Sequence, residues 1–139
     1  MYRLPGALFL LALGFAGTAQ AQQATLTLAC KGTTRGPLDD KPQPVSMGII
    51  VNFTTRTVQG FGYPDLIDVP VRITAANDVT VTFAGSEETL VSVRTGISGS
   101  IDRVTGDVYA TEVITNTMTN KIVSTMNYEL QCRPTQRMF

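Results

Sequence analysis

Apolar and polar residues alternate along most of this chain. From Lys121 to Cys132, the residues Ile122, Ser124, Met126, Tyr128, Leu130 and Cys132 fall on one side at period two, and Lys121, Val123, Thr125, Asn127, Glu129 and Gln131 fall on the other. That is the signature of a half-buried strand. The same alternation predicts strands at Gln22–Cys30, Met47–Phe53, Thr57–Tyr63, Val69–Thr74, Val79–Phe83, Leu90–Arg94 then, after a break at Gly96, Ile97–Asp102, and Val108–Thr115. After residue 21, no stretch of ten residues carries a helical apolar period, and the strand formers Thr and Val are abundant. Short strands separated by turn signals predict an all-β domain, a small antiparallel barrel or flattened sandwich of seven to eight strands.

Breaks in the alternation mark the connections. Lys31 to Val45 holds Gly32, Gly36, Pro37, Asp39, Asp40, Pro42 and Pro44 and is expected to be the longest irregular stretch. Gly85 to Glu88 is expected to be a polar turn. The run from Val51, V-N-F-T-T-R-T-V, matches I-D-R-V-T-G-D-V fifty residues on. Each places Asn or Asp where its side chain can bond to the backbone of the following turn.

The first residues have a different character. Arg3 is followed by an apolar run from Leu4 to Phe15 and by the small-x-small site Ala19-Gln20-Ala21. This predicts a signal peptide over residues 1–21 and a single β domain over 22–139. No later apolar run reaches membrane-spanning length, so no membrane span is expected after cleavage. The destination is then the periplasm or the exterior. The full chain has eleven basic and eleven acidic side chains without runs, so no basic stripe marks a nucleic-acid partner.

Export changes the reading of the two cysteines. In an oxidising compartment Cys30 and Cys132 are expected to form a disulfide joining the first and last strands. Setting T-L-T-L-A-C beside the last strand places Leu26 opposite Tyr128, Leu28 opposite Leu130 and Cys30 opposite Cys132. If both cysteines end their strands, a pure eight-strand meander would put them at opposite ends, beyond the ~7 Å Cα limit. The long Gly32–Val45 segment is therefore expected to reverse the direction. First and last strands would run parallel or face each other across two sheets.

The chain has no histidine and no tryptophan, which removes histidine-based nucleophilic triads, histidine-ligated zinc and the commonest general base. Adjacent carboxylates occur at Asp39-Asp40 and Glu87-Glu88, where solvated turns are expected, so neither a catalytic nor a metal site is assigned and no cofactor is expected. Function carried by loops on a rigid scaffold makes Arg35, Asp39, Asp40, Glu87 and Glu88 the candidate partner contacts. Phe61, Tyr63 and Tyr109 are further candidates for a binding surface. The tail R-P-T-Q-R-M-F ends in an aromatic residue, but Arg133, Pro134 and Arg137 break the pattern of an outer-membrane strand.

The order of signal peptide, strand ending in Cys30, hairpins, I-D-R-V-T-G and final Y-E-L-Q-C-R-P resembles a group of uncharacterised short exported bacterial β-rich proteins. In architecture, with a compact barrel and a cysteine near each end of the domain, the chain is also similar to the small periplasmic lysozyme inhibitors. The resulting expectation is a non-enzymatic binding or structural protein of the bacterial envelope, whose partner is a protein or other envelope component. The alternatives are a lipocalin-like carrier of a small apolar ligand and a lysozyme-inhibitor-like protein. Val, Ile and Leu pointing inward on nearly every strand favour a filled core over a carrier's cavity.

Overall fold

A computed structural model describes residues 24–61 and 69–135, without the side chain of Thr89. The expected signal peptide, Gln22, Tyr63 and the tail beyond Thr135 lie outside the described residues. Eight strands follow one another: β1 Thr25–Arg35, β2 Gln43–Asn52, β3 Thr57–Gln59, β4 Val71–Ala76, β5 Thr80–Leu90, β6 Val93–Asp102, β7 Asp107–Asn116 and β8 Lys121–Pro134. Each pairs antiparallel with the next, and β8 pairs antiparallel with β1, giving a closed barrel. The sandwich alternative is thereby excluded.

The alternation seen in the sequence fills the barrel. Ile49, Val51, Val81, Phe83, Ile101 and Val108 are all but removed from solvent, each such burial contributing about 1.5–3 kcal/mol. Phe61 stacks on Phe83 at 5.1 Å between ring centres and meets Tyr128 edge-on at 5.7 Å. Gly99 lies directly opposite Phe83 in the ladder. A Cβ there would run into the carbonyl of Tyr109 and stand 2.6 Å from Phe83 Cζ, so glycine permits both the close approach of β7 and the packing of the ring.

Side-chain oxygens organise the turns. Asn52 Oδ1 accepts from the amides of Thr54 and Thr55 at 3.0 and 2.9 Å. Asp102 Oδ1 accepts from Val104 and Thr105 at 2.8 and 2.9 Å, and these amides, Thr105 foremost, hold its carboxyl below the ordinary range. Asn77 and Asn116 repeat the arrangement. Arg56, Gly106 and Asn120, each four residues after such a side chain, carry positive φ. Asn52, Asn77 and Asp102 are evenly spaced at twenty-five residues and head three turns at one end of the barrel, here termed the lower end. Ala24 and Thr135 are also at the lower end.

The expected parallel or face-to-face arrangement of the terminal strands is wrong. β1 and β8 are antiparallel neighbours, with Leu28 opposite Pro134, Cys30 opposite Cys132, Gly32 opposite Leu130 and Thr34 opposite Tyr128. The disulfide joins the opposed cysteines with Cα atoms 4.0 Å apart. The error lay in treating Cys30 as the end of its strand. β1 continues through Lys31, Gly32, Thr33 and Thr34 to Arg35, so Cys30 sits in mid-strand and meets the far end of a staggered neighbour. Strand stagger of this kind accompanies barrel closure. Gly32 is no breaker: a Cβ there would run into the carbonyl of Glu129, so glycine permits the approach of β8. The long crossover shrinks accordingly to residues 36–42, an ordinary hairpin connection.

Gly85 to Glu88 is likewise no turn. It lies within β5, and the chain reverses at Val91 and Ser92 instead, Ser92 taking φ of 67°. Gly96, expected as a break, is an interior residue of β6 opposite Ser86.

Candidate functional site

At the upper end, the barrel is taller on one side. The β1–β8 ladder stops at Arg35 opposite Asn127 and the β4–β5 ladder at Arg72 opposite Ala84. By contrast β5, β6, β7 and β8 stay paired up to Leu90 opposite Val93 and Asn116 opposite Lys121. Four strands therefore rise above the closed ring as a flap. Its two outer strands end in a bulge, between Glu88 and Leu90 in the β5–β6 ladder and between Ile114 and Thr115 in the β7–β8 ladder. Glu88 and Lys121 add charge at the same edges. Bulges and charges oppose the addition of a further strand, so the tips are the more accessible surface.

The tips are aliphatic. Leu90 and Val91 at the β5–β6 tip, Met118, Ile122 and Val123 at the β7–β8 tip, and Leu38 in the β1–β2 connection are all exposed, Leu38 and Val91 at 94% and 96%. The Thr117 amide donates to the Ser92 carbonyl at 2.9 Å, which ties the two flap tips together. Contiguous exposed apolar side chains mark interaction surfaces more often than scattered ones do. Sequence reasoning missed this feature because Leu90 and Val91 read as the start of a strand. The available signal was an apolar pair immediately before Ser-Val-Arg, with alternation on both sides.

The five candidate contact residues all come to the upper end, but they do not form one cluster. Arg35 closes β1, and Asp39 and Asp40 lie in the connection after it. Asp39 is occupied in shaping that connection: its Oδ2 accepts from the Gly36 amide at 2.7 Å. Glu87 and Glu88 are on β5, across the ring from β1, and are strand residues rather than turn tips. Glu87 shares the phase of Val81 and Phe83 and is half-buried, opposite Thr95. Glu88 pairs with Arg94 at 3.2 Å, both side chains mostly exposed, a contact worth under ~1 kcal/mol.

The aromatic candidates separate. Phe61 is a core residue and Tyr109 is exposed on the barrel wall.

Inside the barrel lies a carboxyl that sequence reasoning also missed. Glu112 takes the inward phase of β7 after Val108 and Ala110 and is 5% exposed. Burial pushes its pKa up, opposed in part by the Tyr128 hydroxyl, which donates to Oε2 at 3.3 Å. A charge in the inward phase of V-Y-A-T-E-V was the visible sign. Among the described residues no group of three or more His, Cys, Asp or Glu could hold a metal ion, and no helix is long and apolar enough to cross a membrane. Compared with known protein families, curated proteins and solved structures, the chain matches none.

Proposed function

We propose that this chain is an exported, non-enzymatic binding or structural protein of the bacterial envelope that engages a partner through the hairpin tips of the flap. The observation that carries this reading is the aliphatic surface of Leu90, Val91, Met118 and Ile122 on two tips bonded to each other. These tips stand on a filled and disulfide-closed barrel, at the end away from Ala24 and Thr135. A rigid scaffold lowers the ordering cost of binding at its loops. The disulfide supports an oxidising compartment, periplasmic or external.

Affinity capture from the envelope with the mature protein tests the proposal. Wild type should retain a partner that Val91→Asp/Met118→Asp loses, while both proteins melt alike. Equal capture by both, or no partner above background, refutes it. The architectural resemblance to the periplasmic lysozyme inhibitors, expected from the sequence alone, makes lysozyme the first purified partner to assay. The carrier reading draws on the closed up-and-down topology, which small-ligand carriers share. A stoichiometric apolar ligand released on denaturing the purified protein would favour it over partner capture.

A further inference from the structure

The lower end of the barrel holds a concavity of about 420 Å³ between the three Asn- and Asp-headed turns. Leu26, Phe53 and Ala76 supply its apolar wall, and Asn77, Asp78 and Arg103 its polar one. The size falls in the range of small-molecule sites, ~300–1,000 Å³. Leu26 and Phe53 pack directly against the core, so this wall is anchored.

Arg103 is held in place here. Its guanidinium carbon lies 5.4 Å from the centre of the Phe53 ring, and its Nη1 donates to the Asn77 carbonyl at 2.6 Å. Its own amide donates to the Val79 carbonyl at 2.7 Å. A guanidinium carries five N–H donors in a planar fork. The contact with the Phe53 ring and the bond to Asn77 anchor the guanidinium, and only one of its N–H donors is used in that bond. Such a fork matches a carboxylate bidentately.

We propose that this cleft binds a small monocarboxylate with an apolar body, the carboxylate on Arg103 and the body against Leu26 and Phe53. Asp78 on the same rim sets the selectivity, because a second carboxylate on the ligand would face its negative charge. The site lies at the opposite end from the flap tips and does not rest on their binding a partner.

Amide NMR of the mature protein, titrated with 3-phenylpropionate, tests this. The expected result is saturable shifts at Phe53, Asn77, Asp78 and Arg103 at millimolar ligand, with 3-phenylpropanamide binding at least ~10-fold more weakly and succinate not binding. Arg103→Gln should abolish the shifts without loss of the folded spectrum. Asp78→Asn should leave 3-phenylpropionate binding unchanged or tighter and should admit succinate. Equal binding of acid and amide, unaltered binding by Arg103→Gln, shifts confined to the flap, or no shifts at ~10 mM acid would each overturn the proposal.

Discussion

The cross-link between Cys30 and Cys132 admits a quantitative test, because oxidised and reduced wild type have the same side chains. The bond spans 102 residues of sequence, for which restriction of the unfolded chain gives about 4.7 kcal/mol. The folded state changes little on reduction: the β1–β8 ladder contributes eight opposed residue pairs with or without the bond. The effect should therefore fall on the unfolded ensemble. With a urea m-value of about 1–3 kcal/mol/M, the oxidised midpoint should exceed the reduced one by ~1.5–5 M. The m-value itself should rise on reduction, since an uncrosslinked chain expands further. Cys30→Ala/Cys132→Ala should fall slightly below the reduced protein, because both cysteines are buried in the core and two sulfurs are lost from it. Urea titrations followed by far-ultraviolet circular dichroism with and without reductant measure all three states. Oxidised and reduced midpoints agreeing within ~0.3 M would refute the reasoning, since a loop of this length could then impose no restriction on the unfolded chain.

Three further outcomes are expected. Burial raises the Glu112 pKa in the folded protein, so its favourable contribution is complete below the ordinary value of 4.5 and declines as pH rises through that value to the folded pKa. Glu112→Gln should therefore gain stability over wild type as pH is raised from acid to neutral, and parallel pH profiles of the two urea midpoints would contradict this. Asn77→Ala removes one oxygen that serves the Val79 and Thr80 amides at 2.9 and 2.7 Å. Water can replace it at this exposed turn, so thermal melts should show a loss of only about 0.5–1.5 kcal/mol. Gly99→Ala places a methyl against both the Tyr109 carbonyl and the Phe83 ring and should cost about 1–3 kcal/mol, of which only the ring's part can be relieved at Phe83. Adding Phe83→Leu to Gly99→Ala should then cost less than Phe83→Leu costs alone, measurable as a double-mutant coupling.

The fold was legible where burial is one-sided. Leu28, Ile49, Val51, Val81, Phe83, Ile101, Val108 and Leu130 announce themselves by alternation, and all are core. The asparagine and aspartate turns were legible because Asn52 and Asp102 act within three residues of themselves. Strand ends were not, because glycine has two meanings. Gly32 and Gly85 resemble punctuation in one dimension, yet in three they are places where another backbone approaches too closely for a Cβ. That property belongs to the neighbouring strand and leaves no local trace. The misplaced end of β1 then propagated into the direction of β8, because the parity argument takes the strand end as its input. The site was half legible: Arg35, Asp39, Asp40, Glu87 and Glu88 do reach one end of the barrel. Their separation across the ring follows from strand order, and the exposure of Val91 follows from a reversal that polar composition placed six residues too early.

The chain entering β1 and the chain leaving β8 lie side by side, the Thr135 amide donating to the Thr27 carbonyl at 2.9 Å. A three-residue linker from Thr135 to Ala24, with new ends opened at Val91 and Ser92, would keep every ladder neighbour while changing what is local. Cys132 and Cys30 would then be about a dozen residues apart along the chain, and the same sulfur–sulfur bond would contribute nearer 3 than 4.7 kcal/mol. The seam between β8 and β1, the most distant pairing in the native order, would become a hairpin, and the β5–β6 seam would take its place as the pairing of greatest contact order. Folding rate follows contact order rather than the identity of the contacts. The permuted barrel should therefore close β1 on β8 early and depend on its disulfide less, with the finished structure unchanged.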